Sequence, residues 1–85
     1  MWKLVSFVKR GRLREKILES LVIPNSPTDL ARKLDSHRPT VSSAISELAK
    51  KGLVKRLNPV TEKTISIYGL TPTGKKILEK TRRMK

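Results

Sequence analysis

The stretch from Ser26 to Val54 constrains this chain more than any other. Two helix starts stand either side of a short break, and a glycine then hands over to an apolar pair. Ser26 precedes Pro27, as a cap precedes a first helical residue whose missing N–H costs nothing. Asp29, three residues after the cap, is a short form of the capping-box acid. Leu30, Ala31 and Leu34 give this helix its buried face, and it ends near Asp35. Asp35, Ser36 and His37 make the turn. A second helix begins at Arg38 or Pro39 and runs to Lys51. In it Val41, Ala44, Ile45 and Leu48 fall at i, i+3, i+4 and i+7, a complete apolar stripe. The opposite face carries Pro39, Ser42, Ser43, Ser46 and Lys50. Lys50 and Lys51 suit the negative end of the helix dipole, and Gly52 is the stop.

The flanks complete a domain. Leu53 to Leu57 reads as a strand, and Asn58-Pro59 with Thr61, Glu62 and Lys63 makes a hairpin tip. Thr64 to Tyr68 alternates polar and apolar as a half-buried strand does, and Leu70 continues its apolar side. Thr71 caps a last helix opened by Pro72, which carries Ile77, Leu78 and Met84 inward or toward a partner. Upstream, Leu13, Ile17, Leu18 and Leu21 line one side of a helix over 12–21, and Pro24, Asn25 and Pro27 end it. In 2–10 the spacing of Leu4, Val5 and Val8 predicts a helix or helical turn, while Trp2, Leu4 and Ser6 would alternate in a strand. Gly11 breaks or bends this segment. A two-stranded hairpin is marginal alone, so it must pack on the helices. The pattern is an α+β winged helix-turn-helix: a three-helix core, a two-stranded β-hairpin wing and a C-terminal helix. It forms one domain over 1–85, with 72–85 the last helix. Trp2, Leu4, Val5 and Phe7 in the 1–10 segment either cover the core or form a dimer surface with Ile77, Leu78 and Met84.

Size and composition narrow the function. A chain of 85 residues buries roughly 60% of its unfolded surface, which leaves little room for an enclosed active site. With no cysteine and one histidine, disulfides, zinc knuckles and a multi-histidine metal site are excluded, and no cofactor is expected. No catalytic constellation surrounds His37, so an enzyme is not expected. No apolar run reaches the ~20 residues of a membrane span. The apolar residues of Met1–Val8 precede Lys9, Arg10, Arg12 and Arg14, the reverse order of a signal peptide. A cytoplasmic, nucleoid-associated protein is expected.

Twenty Lys and Arg against seven Asp and Glu give a net charge of +13. Such an excess near phosphates drives nucleic-acid binding by counterion release. The bases cluster in 3–16 and 75–85, as clamps for backbone phosphates around a less charged reading segment.

The residues Pro27-Thr28-Asp29-Leu30-Ala31, Arg38-Pro39-Thr40-Val41-Ser42, Leu48, Gly52-Leu53-Val54, Leu57-Asn58-Pro59 and Tyr68-Gly69-Leu70-Thr71-Pro72-Thr73-Gly74-Lys75 occur in one order. Together they resemble winged-helix transcriptional regulators of the ArsR/MarR superfamily, and most of all a small archaeal branch of it. The likeness covers residues 7–80. It implies a third helix in the major groove, a wing on the backbone or minor groove, and a symmetric dimer. The chain departs from the superfamily in lacking the Cys/His ligands of metal sensors and the long dimerising helices of typical MarR proteins. No small-molecule effector is evident.

The candidate DNA-binding residues follow. Ser42, Ser43 and Ser46 are short enough to let the helix backbone approach base edges, and their hydroxyls serve donors or acceptors. Arg38, at the helix start, suits a bidentate contact to guanine or a phosphate. Pro39 and Thr40 suit a thymine methyl, and Lys50 extends the same face. His37 either donates to a phosphate or, with Ser36, caps the helix. Thr28 and the N–H groups beside it form a phosphate seat. Lys55, Arg56, Lys63 and Thr64 flank the wing, where they meet phosphates or shield an exposed strand edge. Arg10, Arg12 and Arg14 crowd a helix start that disfavours cations, so they either meet phosphate or pair with Glu15 and Glu19.

The expected function is that of a sequence-specific regulator of transcription on double-stranded DNA, acting as a homodimer. The alternatives are an architectural DNA-binding protein of low specificity and a winged-helix module for RNA or protein. Exposed aromatics for base stacking are expected to be missing, which weighs against RNA.

Overall fold

A computed structural model describes residues 2–58 and 65–83. Seven elements follow one another: α1 (Trp2–Lys9), α2 (Arg12–Ser20), α3 (Pro27–Lys33), α4 (Arg38–Lys50), β1 (Val54–Arg56), β2 (Tyr68–Leu70) and α5 (Pro72–Arg83). The order is that of the winged helix read from the sequence, and the 2–10 segment resolves as a helix.

Apolar periodicity explains the packing. Val5 and Val8 of α1, Ile17 and Leu18 of α2, and Ile77 and Leu78 of α5 are all buried in one cluster. The stripe Val41, Ala44, Ile45 and Leu48 seats α4 in the same cluster. Helix α4 is covered by α2 and α3, and α1 lies against α5 and α2. Leu4 and Phe7 pack on this core from α1. Burial of Ile77 and Leu78 inside the domain removes them from any surface shared with a second copy, which corrects one of the two readings of their role. Among the described residues no helix is long and apolar enough to cross a membrane.

Caps set the helix starts. The Asp29 N–H donates to Ser26 Oγ at 3.1 Å, as a cap requires. The capping box is not reciprocated, however: the Ser26 N–H donates to Asn25 Oδ1 at 2.9 Å. Gly74 N–H donates to Thr71 Oγ1 at 2.9 Å at the start of α5. His37 holds the N-cap position of α4 without a side-chain hydrogen bond, and Ser36 Oγ turns back to Leu34 O at 3.3 Å. Neither therefore caps α4 through its side chain, contrary to expectation. The turn between α3 and α4 carries a left-handed residue, Asp35, at φ 51°, and aspartate is among the residues that tolerate it. Gly52, at φ 75°, ends α4 in the same region, as its place after Lys51 predicts.

The wing is shorter than its pattern suggests. β1 and β2 pair antiparallel, with Val54, Lys55 and Arg56 opposite Leu70, Gly69 and Tyr68. Of the expected strand, Thr64 lies outside the described residues and Tyr68–Leu70 is the strand seen among them; Ile65 is 62% exposed rather than half-buried. The Leu57 N–H still donates to Ile67 O at 2.7 Å, and beyond it Asn58 takes over. Its Oδ1 accepts from the Ile67 N–H at 3.0 Å and its Nδ2 donates to Ile65 O at 2.8 Å, so one side chain replaces a strand partner. Beyond the hairpin, Tyr68 also exchanges two backbone hydrogen bonds with Asn25, N–H to O at 2.8 Å and its O from the Asn25 N–H at 3.0 Å. β2 is thus held on both edges.

Candidate nucleic-acid interface

Helix α4 buries its stripe and so must turn its other face outward. Arg38, Pro39, Thr40, Ser43 and Ser46 are exposed and Ser42 is half-buried. Arg38 and Pro39 are its first two residues, so the proline removes no helical hydrogen bond.

A groove of 320 Å³ opens along this face. Pro27 and Thr28 at the start of α3 form one wall, and Ile65, Ser66 and Tyr68 on the returning arm of the wing form the other. Arg38, Ser42 and Ser46 line the α4 side. Four residues singled out from the sequence, Thr28, Arg38, Ser42 and Ser46, thus share one concave surface. His37, Pro39, Thr40 and Ser43 are exposed on or beside the same helix but do not line the groove.

The other candidates lie elsewhere. Lys50 faces a depression it shares with Phe7, Glu47 and Lys51, at the opposite end of α4 from Arg38. Lys55 is exposed on β1, whereas the Arg56 Nε is already bonded to Asn58 Oδ1 at 3.1 Å. Lys63 and Thr64 lie outside the described residues. Arg10 belongs to a separate depression on α1, and Arg12 is exposed at the start of α2. Arg14 is engaged inside the domain. It reaches Glu47 Oε2 at 2.8 Å and Phe7 O at 2.9 Å, and its guanidinium lies 4.1 Å from the centre of the Phe7 ring. Its acidic partner is on α4, not the neighbouring Glu15 or Glu19, and Glu15 pairs with Lys9 at 3.2 Å.

Sequence reading missed three participants. Ile65, Ser66 and Tyr68 were read as plain strand, yet they face the groove; a small hydroxyl residue between two isoleucines was the available signal. It also missed Trp2, which is 71% exposed, so an aromatic ring does stand in solvent. Among the described residues no three His, Cys, Asp or Glu side chains gather as metal ligands.

Asn58 makes the groove wall sensitive to one side chain. Asn58→Ala removes the bonds to Ile65, Ile67 and Arg56 while leaving the core intact. At about 1 kcal/mol for each hydrogen bond, the expected result is a roughly fivefold or greater loss of duplex affinity together with a fall in melting temperature of up to roughly 12 °C. Anisotropy titration well below the melting range and thermal denaturation check it; unchanged duplex affinity would show that the groove wall does not depend on Asn58.

A family model described as "Methanogenesis regulatory protein FilR1, N-terminal domain" matches residues 2–84. No curated protein matches the chain in sequence. Among solved structures, the transcriptional regulator BldR from Sulfolobus solfataricus is similar at TM-score 0.78 and 27% identity, over 86% of this chain and 53% of that one. A mutant of MepR from S. aureus is similar at TM-score 0.79 and 22% identity, over 98% of this chain and 66% of its own. A mutant of MarR from E. coli, complexed with operator DNA, gives TM-score 0.78 and 23% identity, over 93% and 58%. The last two likenesses show the shared winged-helix fold. The chain spans about half the length of BldR.

Proposed function

The chain belongs to the family of the N-terminal domain of the methanogenesis regulatory protein FilR1, and from that membership we propose that it is a sequence-specific, double-stranded-DNA-binding regulator of transcription. In this proposal α4 enters the major groove with Arg38, Ser42 and Ser46 toward the bases. Pro39, Thr40 and Ser43 lie beside them. Thr28 and His37 meet phosphates at the rim, and Lys55, with Lys63, carries the wing along the backbone or minor groove. Arg10 and Arg12 are assigned to no base, and Arg14 serves the fold.

The observation that carries the proposal is the groove itself. It joins the reading face of α4 to the start of α3 and the wing. Its α4 side is built from two serines, the buried Ile45 and one arginine, so a helix backbone can come close to base edges while Arg38 supplies a paired contact. The likeness to BldR, described as a transcriptional regulator, supports the same use of the fold. A homodimer on two half-sites completes the reading.

Selection from random duplex DNA at ~150 mM salt tests it. The expected result is an enriched palindrome bound at least ~10³-fold better than scrambled duplex. Equal binding of every duplex would overturn the specific reading, and an enriched site without two-fold symmetry would overturn the dimer. On the selected site, Arg38→Ala is expected to lose about 1–3 kcal/mol, with preference relaxed at one base pair only. A uniform loss across all sequences would move Arg38 from base to phosphate.

A further inference from the structure

The far end of α4 carries a second concave surface that the duplex reading does not use. A depression of 470 Å³ is lined by Trp2, Lys3, Ser6, Phe7, Arg10 and Lys51. Lys51 caps the C-terminus of α4 and Arg38 begins it, so the helix of 13 residues separates the two surfaces by about 20 Å.

Its chemistry is specific. Lys3, Phe7 and Arg10 fall at i, i+4 and i+7, which places them along one face of α1 and its end. Trp2, beside them, leaves 71% of its surface in solvent, although tryptophan is on average a highly buried residue. Lys51 Nζ stands 5.4 Å from the centre of the Phe7 ring. Glu47, which borders a neighbouring depression with Phe7 and Lys51, is taken by Arg14, and Glu15 is taken by Lys9. Among the described residues Lys3, Arg10 and Lys51 make no salt bridge. An open indole therefore sits in a cavity with three cations that no salt bridge occupies among the described residues.

We propose that this depression is a second nucleic-acid site, and that its ligand is a single strand. Bases stack on the open indole while the phosphates between them meet Lys3, Arg10 and Lys51, the combination by which proteins hold unpaired strands. A duplex satisfies only half of this chemistry, because its bases are stacked on one another and present no free ring face. An acidic peptide likewise engages the cations and leaves the indole bare. The site does not rest on the assignment of α4 to duplex DNA.

Trp2 is the only tryptophan, so its fluorescence reports the site directly. The whole chain is titrated with oligothymidylate and oligouridylate of about ten nucleotides, and with a duplex. Saturable quenching by a single strand is expected. Quenching by thymidylate alone assigns single-stranded DNA; quenching by both assigns strands irrespective of the sugar. In anisotropy with labelled strands, Trp2→Ala is expected to weaken single-strand binding roughly 5- to 150-fold while duplex affinity is unchanged, and Trp2→Phe to restore most of the loss. Arg38→Ala is expected to do the reverse, so failure of one site is distinguishable from failure of the other. Absence of quenching overturns the proposal. So does an equal loss on single strand and duplex, which indicates charge alone. So does a fall in sedimenting mass on Trp2→Ala with single-strand affinity kept, which gives the indole to a second copy of the chain.

Discussion

Raising salt from about 50 to about 200 mM is expected to weaken binding to the selected duplex by roughly 10³-fold. The magnitude follows from which cations are free. Arg38 and Lys55 are exposed and form no salt bridge among the described residues, and Lys63 is the third cation of the proposed contact. Arg14 is held by Glu47, and Arg56 is partly committed to Asn58. In the proposed homodimer three cations from each copy lie at the DNA, and each releases counterions worth about −0.9 in the slope of log affinity against log salt, whether it meets a base or a phosphate. A titration series in potassium chloride measures that slope. A value near −5 agrees with the assignment; one shallower than about −2 would remove the wing and Arg38 from the DNA.

The second large effect falls on the fold. Gly74→Ala is expected to destabilise the domain by about 3 kcal/mol or more, lowering its melting temperature by roughly 12 °C or more. Gly74 is buried in the first turn of α5, and a Cβ placed there would run into the backbone carbonyl oxygen of Leu53. That carbonyl is not free to swing aside. It also accepts the Thr71 N–H at 3.1 Å, and Thr71 Oγ1 donates to Gly52 O at 2.6 Å. The start of α5 is thereby pinned against the segment leaving α4, and relief of the clash must drag Ile77 and Leu78 away from the core. Thermal denaturation followed by circular dichroism measures the change. A shift of only a few degrees would show that α5 approaches Leu53 less closely than this.

Legibility in the sequence followed the range of the interaction. The α4 stripe, the Ser26 and Thr71 caps and the Gly52 stop are local devices, and each stands where its spacing predicts. Pairings between distant residues leave no such period. Arg14 and Glu47 are 33 positions apart, so nothing in the local spacing of the arginine-rich entry to α2 tells that Arg14 is taken by an acid on α4. The wing misled for a related reason. Alternation from Thr64 to Tyr68 is a strand pattern, but past the bond from the Leu57 N–H to Ile67 O the partner groups come from the Asn58 side chain. Of the groove, Thr28, Arg38, Ser42 and Ser46 were visible as residue types on helix starts and faces. Ile65 and Ser66 were not, because their place depends on where the hairpin returns. Trp2 was grouped with its apolar neighbours, and only the packing of Val5 and Val8 beneath α1 shows that the indole is left outside.

Tyr68 stands opposite Arg56 of β1 on one edge and gives both of its backbone hydrogen bonds to Asn25, just ahead of α3, on the other. The hairpin is therefore not a loose arm hinged only at the end of α4. Its base and the entrance to the helix pair turn together, which in the proposed complex makes the domain a fixed caliper along the DNA axis. The distance and angular phase between what α4 touches and what the wing touches belong to the protein and not to the site. A sequence that puts the two contacts out of phase must be matched by twisting or bending the duplex, and the energy of that distortion enters the selection of sites at base pairs no side chain reaches.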